Sequence, residues 1–103
     1  MESLNQKCSV FDLPPETVVV TTKYVTKEGA PILEVTHEYD EEEGHIWQFH
    51  CGNGDYGDSV LQLVRLDEIL EIDPSLHVVA DLPAGCLASR TKRRPTWKIT
   101  KIK

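Results

Sequence analysis

The spacing of the apolar residues changes from a strand period to a helical period at Leu66, and that change limits the possible folds more than any other feature. Before it, apolar residues alternate with polar ones or stand in β-branched runs, which is typical of strands. After it, Ile69 and Leu70 follow Leu66 at helical spacing. Asp67 and Glu68 stand early in that segment, where carboxylates suit the helix dipole. The sequence therefore predicts an α+β fold.

Proline and glycine residues separate the predicted elements. Gly29 suits a turn between the first two strands because glycine tolerates positive φ, and Pro74 suits the first turn of a second helix. We expect a curved antiparallel sheet, an N-terminal three-stranded meander plus C-terminal strands, with one or two short helices packed on it. The predicted strands cover residues 17–26, 32–38, 46–51, 60–64, 86–90 and 96–102, and the predicted helices cover residues 66–73 and 74–80.

The length of 103 residues predicts a single domain. Residues 1–12 are polar and unpatterned, so we expect them to be flexible and the core to span about residues 17–102. The N-terminus lacks a basic segment followed by an apolar run, and no apolar stretch approaches the roughly 18 residues of a spanning helix. Three cysteines cannot all pair with one another. These features predict a cytoplasmic protein with reduced thiols and no membrane partner.

Opposite charges are segregated along the sequence. Residues 34–58 carry eight carboxylates and no Lys or Arg, whereas residues 90–103, from Arg90 onward, carry seven Lys or Arg and no carboxylate. Such fields steer association, so we expect two acidic loops to bind a basic protein partner. The net charge of −6 does not favour nucleic acid. The predicted partner-binding residues are Asp40, Glu41, Glu42, Glu43, Asp55 and Asp58.

A second interpretation is a small-ligand or metal-binding domain that uses residues 52–58 with His45 and His50. Residues 52–57 match G-x-G-x-x-G, but Asp55 and Asp58 would repel a pyrophosphate and a strand follows where the dinucleotide motif needs a helix. The histidine spacing matches no compact metal site, and the acidic loops lack the EF-hand order. This sequence therefore assigns no cofactor and no metal ligand.

Catalytic arrangements are not visible in the sequence. Cys51 beside His50 is the nearest candidate for a nucleophile and its base, but neighbouring residues of a strand point to opposite faces. We therefore expect a protein that is not an enzyme.

Several short motifs occur in a particular order: Tyr24-Val25-Thr26-x-x-Gly29-x-Pro31-Ile32, Trp47-Gln48-Phe49, Leu66-x-x-Ile69-Leu70-x-x-Asp73-Pro74-Ser75-Leu76, Leu82-Pro83-x-Gly85 and Trp97. This succession resembles a bacterial family of small domains of unknown function that are immunity-protein-like. The resemblance covers roughly residues 17–99. It implies a protein that neutralises a toxin, or a stand-alone binding domain that shares the fold, and it carries over no active-site residue. The acidic loops favour a basic toxin. The basic segment at residues 92–94 is not part of the family pattern.

The acidic segment, residues 34–58, and the basic segment, residues 90–103, form two charged poles whose contact would determine the oligomeric state. If the acidic and basic segments meet within one molecule, the protein is a monomer. If they meet between molecules, head to tail, they form a weak and salt-sensitive oligomer. The sequence leaves both arrangements open.

Overall fold

The fold is α+β, as predicted, and consists of one unclosed six-stranded sheet with short helices. The computed structural model describes residue 11, residues 13–92 and residues 96–102. The sheet order is β4-β1-β3-β2-β5-β6. In chain order the elements are β1 (Val18–Thr22), α1 (Lys23–Thr26), β2 (Glu34–Asp40), β3 (Gly44–His50), β4 (Leu61–Arg65), α2 (Leu66–Ile72), the 3₁₀ helix η1 (Pro74–Val79), β5 (Cys86–Ser89) and β6 (Lys98–Lys101).

The sheet is mixed, because β1 does not form the predicted hairpin with β2. β1 lies parallel to β3, with Val20 opposite Gln48, and antiparallel to β4. Of the predicted meander, the antiparallel pair of β2 and β3 is present, with Asp40 opposite Gly44. β3 therefore lies between β1 and β2 in the sheet, and the connection from β1 to β2 passes β3, which periodicity alone does not reveal.

The predicted first strand ends four residues early, at Thr22. Residues 23–26 form a single helical turn, in which the Lys27 amide donates to the Lys23 carbonyl at 2.8 Å. This turn places Val25 in the core, where it is 3% exposed. Burial of that side chain therefore outweighs the strand preference of a β-branched residue.

One face of the sheet carries the core. Val35 of β2 lies opposite Phe49 of β3, and all the helices add buried side chains to the same cluster, among them Ile69 and Leu76. Phe11 also belongs to it, since its ring packs edge-on against Trp47 with the centroids 5.3 Å apart. The core thus extends before the predicted start at residue 17. The expected flexibility of residues 1–10 and 12 lies outside the described residues.

A buried ion pair joins the end of β5 to the start of η1. The Arg90 guanidinium donates to Asp73 Oδ2 at 2.6 Å and to the Ile32 carbonyl, and it lies 4.1 Å above the Trp97 ring. Its side chain is 1% exposed. Arg90 belongs by sequence to the basic segment, residues 90–103, but its side chain is buried. Its charge is tolerated there because it pairs with Asp73. Lys92 is exposed, while Arg93, Arg94 and Lys103 lie outside the described residues.

Within the described residues, no helix is long and apolar enough to cross a membrane.

Candidate protein-binding surface

The acidic turn, formed by Asp40, Glu41, Glu42 and Glu43, connects β2 to β3. Oδ1 of Asp40 accepts hydrogen bonds from the backbone N–H groups of Glu42 at 2.7 Å and Glu43 at 3.0 Å. These two bonds lower the pKa of the Asp40 carboxyl, since they favour its charged form. Gly44 closes the turn with φ of +82°, which a residue with a Cβ rarely adopts. The turn is therefore held in one conformation by its own residues.

The other three carboxylates of the acidic turn face solvent. Glu41, Glu42 and Glu43 are all exposed. Among the residues that the structure describes, none of these three side chains makes a hydrogen bond or an ion pair. They project from a fixed backbone, so they are available to a partner at little cost in loop ordering.

A group of aromatic and imidazole rings begins directly beside the acidic turn. Tyr39 and His45 are cross-strand neighbours with ring centroids 5.0 Å apart, and His37 stacks on Trp47 at 4.1 Å. Tyr39 remains 59% exposed. A cavity of about 230 Å³ lies at this group, lined by Phe11, Leu13, His37, His45, Trp47 and Ala80. The acidic turn therefore borders a concave aromatic surface.

Two hydrogen bonds fix the proton positions in the histidine pair. Nδ1 of His37 donates to the Leu82 carbonyl at 2.6 Å, because a carbonyl can only accept. Nε2 of His37 lies 2.8 Å from Nδ1 of His45, so one proton is shared between these two atoms. Both ring nitrogens of His37 therefore have a hydrogen-bond partner, which sets the orientation of this imidazole beside the acidic turn.

The second acidic segment, residues 52–58, lies at the other end of β3. β3 begins at the acidic turn and ends at His50, and its seven residues span about 20 Å at the usual rise of a strand. The structure therefore brings Asp40, Glu41, Glu42 and Glu43 together but separates them from Asp55 and Asp58. Successive connections of an antiparallel pair lie at opposite ends of the shared strand, so the predicted strand order already implied this separation.

Carboxylates at this second end serve internal contacts. The Tyr24 hydroxyl donates to Asp55, and the Tyr56 hydroxyl donates to Glu34 Oε1 at 2.5 Å. The bond to Asp55 raises the pKa of Tyr24. Burial, together with Glu34, raises the pKa of Tyr56 strongly. Asp58 is exposed in the same segment.

His50 belongs to this end as well. Tyr56 stacks on its ring at 4.0 Å, and the Gln48 side chain lies 2.8 Å from its Nε2. Burial lowers the pKa of His50, while the charge of Glu34 opposes that shift. The imidazole is thus enclosed by its neighbours and is not presented to solvent.

The second interpretation of the sequence required His45 and His50 to act together with residues 52–58. The structure places the two histidines near opposite ends of β3 and on opposite faces of the sheet. The described part of the chain contains no group of three or more His, Cys, Asp or Glu that could hold a metal ion. These residues therefore form no common site.

Sequence reasoning missed the aromatic part of the surface. His37 falls on the apolar face of β2 and Trp47 on the apolar face of β3, so alternation alone places each ring correctly. The register that pairs His37 with Trp47 was the missing information. Once the turn at residues 41–43 is recognised, that register follows from it.

Comparison with protein-family models, with curated proteins and with solved structures gives no match to this chain. The resemblance to immunity-protein-like domains stays a prediction.

Proposed function

We propose that this protein is a non-catalytic protein-binding domain that binds a basic partner through the acidic turn, such as the toxin that the family resemblance implies. One observation carries the proposal. Glu41, Glu42 and Glu43 are exposed on an ordered turn and, among the described residues, form no hydrogen bond or ion pair, whereas Asp55 and Glu34 already accept bonds from tyrosines.

Electrostatic steering is the first step of the proposed mechanism. Four successive carboxylates in the turn between β2 and β3 attract a lysine- or arginine-rich surface and orient it before contact. The attraction is screened over a Debye length of about 8 Å at physiological salt. The association rate should therefore fall as salt rises.

The aromatic residues beside the turn supply the short-range contact. Tyrosine and tryptophan dominate binding energy at interfaces because they bury a large area at low cost in side-chain entropy. Tyr39 is exposed at the base of the turn, and His45 lies across from it at the mouth of the cavity. A basic side chain docked on this group would interact with both the ring faces and the carboxylates.

The test is a pull-down from a lysate of the source organism with the tagged chain, washed at low and high salt and quantified by mass spectrometry. The variant Glu41→Lys/Glu42→Lys reverses two charges of the acidic turn. We expect it to lose a basic, stoichiometric partner that the wild-type chain retains at low salt.

The matched control is Glu28→Lys/Asp58→Lys, which changes the net charge by the same amount at exposed positions near the opposite end of β3. The control should retain the partner. Equal loss in both variants would mean that only total charge matters, and retention by the turn variant would remove the acidic turn from the interface.

A further inference from the structure

The two edge strands of the sheet differ in how well they are protected. β6 is an edge of four residues, two of which are Lys98 and Lys101, and lysine at an edge opposes strand addition. β4 is the other edge, and its five residues are Leu61, Gln62, Leu63, Val64 and Arg65. Only the last residue of β4 carries a charge, so this edge lacks the usual protection.

The register shows which main-chain groups of β4 face outward. The Lys23 amide donates to the Val60 carbonyl at 2.9 Å, and the Leu66 amide donates to the Thr17 carbonyl at 2.8 Å. Hydrogen-bonded pairs alternate along an antiparallel ladder, so Gln62 and Val64 bond to β1. The N–H and C=O groups of Leu61 and Leu63 then point away from the sheet.

The row of outward-facing main-chain groups on β4 ends at Arg65. The Arg65 amide donates to Glu68 Oε1 at 2.9 Å, as part of the cap of α2. That amide is therefore already satisfied, and Leu63 lies at the middle of the strand with both of its main-chain groups directed outward.

Both faces of this edge are suited to an added strand. On the face away from the helices, Leu63 is 72% exposed and lies beside Val20, with Val18 62% exposed in the next row. On the helix face, a groove of about 400 Å³ runs along β4 between α1 and α2, and Val64 and Ile72 line it. Alternate side chains of an added strand would cover these two apolar areas.

The groove carries opposite charges at its two ends. Lys27 lies at the α1 end, where Thr26 bonds to Gln62, and Glu68 and Glu71 lie at the α2 end. A two-fold axis reverses the direction of the groove, so Lys27 of one copy would meet the carboxylates of the other. The edge is complementary to itself in charge as well as in hydrogen bonding.

We propose that β4 pairs antiparallel with β4 of a second copy of this chain, with Leu63 opposite Leu63 at the two-fold axis. The two Leu63 residues exchange their outward N–H and C=O groups, and Leu61 lies opposite Arg65. The two sheets join into one, and Leu63, Val18 and Val20 of both copies form a shared apolar strip. This contact is separate from the acidic turn, which lies in the β2–β3 connection.

The first test is sedimentation velocity of the full chain over a wide range of concentration at high salt, where a head-to-tail contact between charged segments would be screened. The wild-type chain should pass from monomer to dimer as concentration rises. Leu63→Lys should weaken the dimer by about tenfold or more, because it places a charge in the pairing strand.

The matched control is Val78→Lys, since Val78 is 52% exposed on η1, away from the β4 edge. It should dimerise as the wild-type chain does. A wild-type chain that stays monomeric throughout, or a Leu63→Lys variant that dimerises normally, would overturn the proposal. A monomeric chain that instead adds a strand of another protein at β4 would overturn it equally.

Amide hydrogen exchange separates edge pairing from stacking of the exposed sheet faces. In an edge-paired dimer, the Leu63 amide gains protection as concentration rises, while the Gln62 and Val64 amides are protected at every concentration. A dimer in which Leu63 exchange is independent of concentration would contradict pairing through β4.

Discussion

The two connections of β3 both carry carboxylates, four in the acidic turn and two in residues 52–58, but these carboxylates have different roles. At the acidic turn, one carboxylate, Asp40, holds the backbone, and the next three extend into solvent. At the opposite end, Asp55 and the strand residue Glu34 accept tyrosine hydroxyls. The number of acids in a segment therefore does not tell how many are available to a partner. The two ends differ because Tyr24 and Tyr56 donate hydrogen bonds to carboxylates at the end near residues 52–58.

The largest expected effect on the free energy of unfolding comes from Asp73, a carboxylate that is buried inside the protein. Asp73→Asn removes the negative charge that lies 2.6 Å from the buried Arg90 guanidinium, so we expect a loss of about 3–5 kcal/mol in the free energy of unfolding. Urea denaturation measures it. Asp81→Asn, at an exposed position, should stay within about 0.5 kcal/mol of wild type. A loss below about 1 kcal/mol for Asp73→Asn would mean that the pair is not essential to the fold.

Tyr56→Phe tests the internal role of the second end. Loss of the hydroxyl that bonds to Glu34 should cost about 1 kcal/mol at neutral pH. The folded state raises the pKa of Tyr56 above its unfolded value of about 10, so the wild-type advantage is present below that pH. It should shrink as the pH rises further, because the unfolded chain then releases its proton first. Urea midpoints at about pH 9 and about pH 11 measure this, and a constant difference would contradict it.

Glu41→Gln/Glu42→Gln tests the acidic turn, where we expect partner binding to change and stability to stay the same. The free energy of unfolding should change by less than about 0.5 kcal/mol, because these side chains have no partner within the described residues. The association rate with the basic partner should fall severalfold at low salt and by less at high salt. Stopped-flow measurements at two salt concentrations provide the comparison. A salt-independent rate in the wild-type chain would contradict electrostatic steering.

The smallest effect concerns the backbone of the acidic turn. Folding lowers the pKa of the Asp40 carboxyl below its usual value of 3.8. The stability that this ionised carboxylate contributes is therefore present at neutral pH, and it is lost as the pH falls through the pKa of the folded state. Asp40→Asn should remove that part of the acid dependence. Thermal melts between about pH 2 and pH 6 measure it, and an unchanged acid dependence would show that the two backbone bonds do not persist in solution.

The local sequence pattern predicted the positions of most strands and helices, because these positions depend on residues that are neighbours in sequence. Alternation located β2 and β3 within two residues, and the helical spacing located α2. The parallel pairing of β1 with β3 was not predictable in this way, because it joins segments that are far apart in sequence. The helical turn at residues 23–26 was missed because burial of Val25 outweighed local preference.

The site was predicted in part for the same reason. The carboxylates of the acidic turn are adjacent in sequence, so their grouping was certain once a hairpin was assigned. Asp55 and Asp58 were added to them on charge alone, and β3 separates the two groups. The sequence groups Arg90 with the basic residues of segment 90–103, because nothing local reveals that Arg90 is buried against Asp73.

The most direct measurement compares two single substitutions, Glu34→Ala and Glu42→Ala, by urea unfolding at neutral pH. If one end of β3 uses its carboxylates internally and the other presents them to a partner, Glu34→Ala should cost about 1–2 kcal/mol, because it removes the acceptor of the half-buried Tyr56 hydroxyl. Glu42→Ala should cost less than about 0.5 kcal/mol. Equal losses, or a greater loss for Glu42→Ala, would contradict this division of roles.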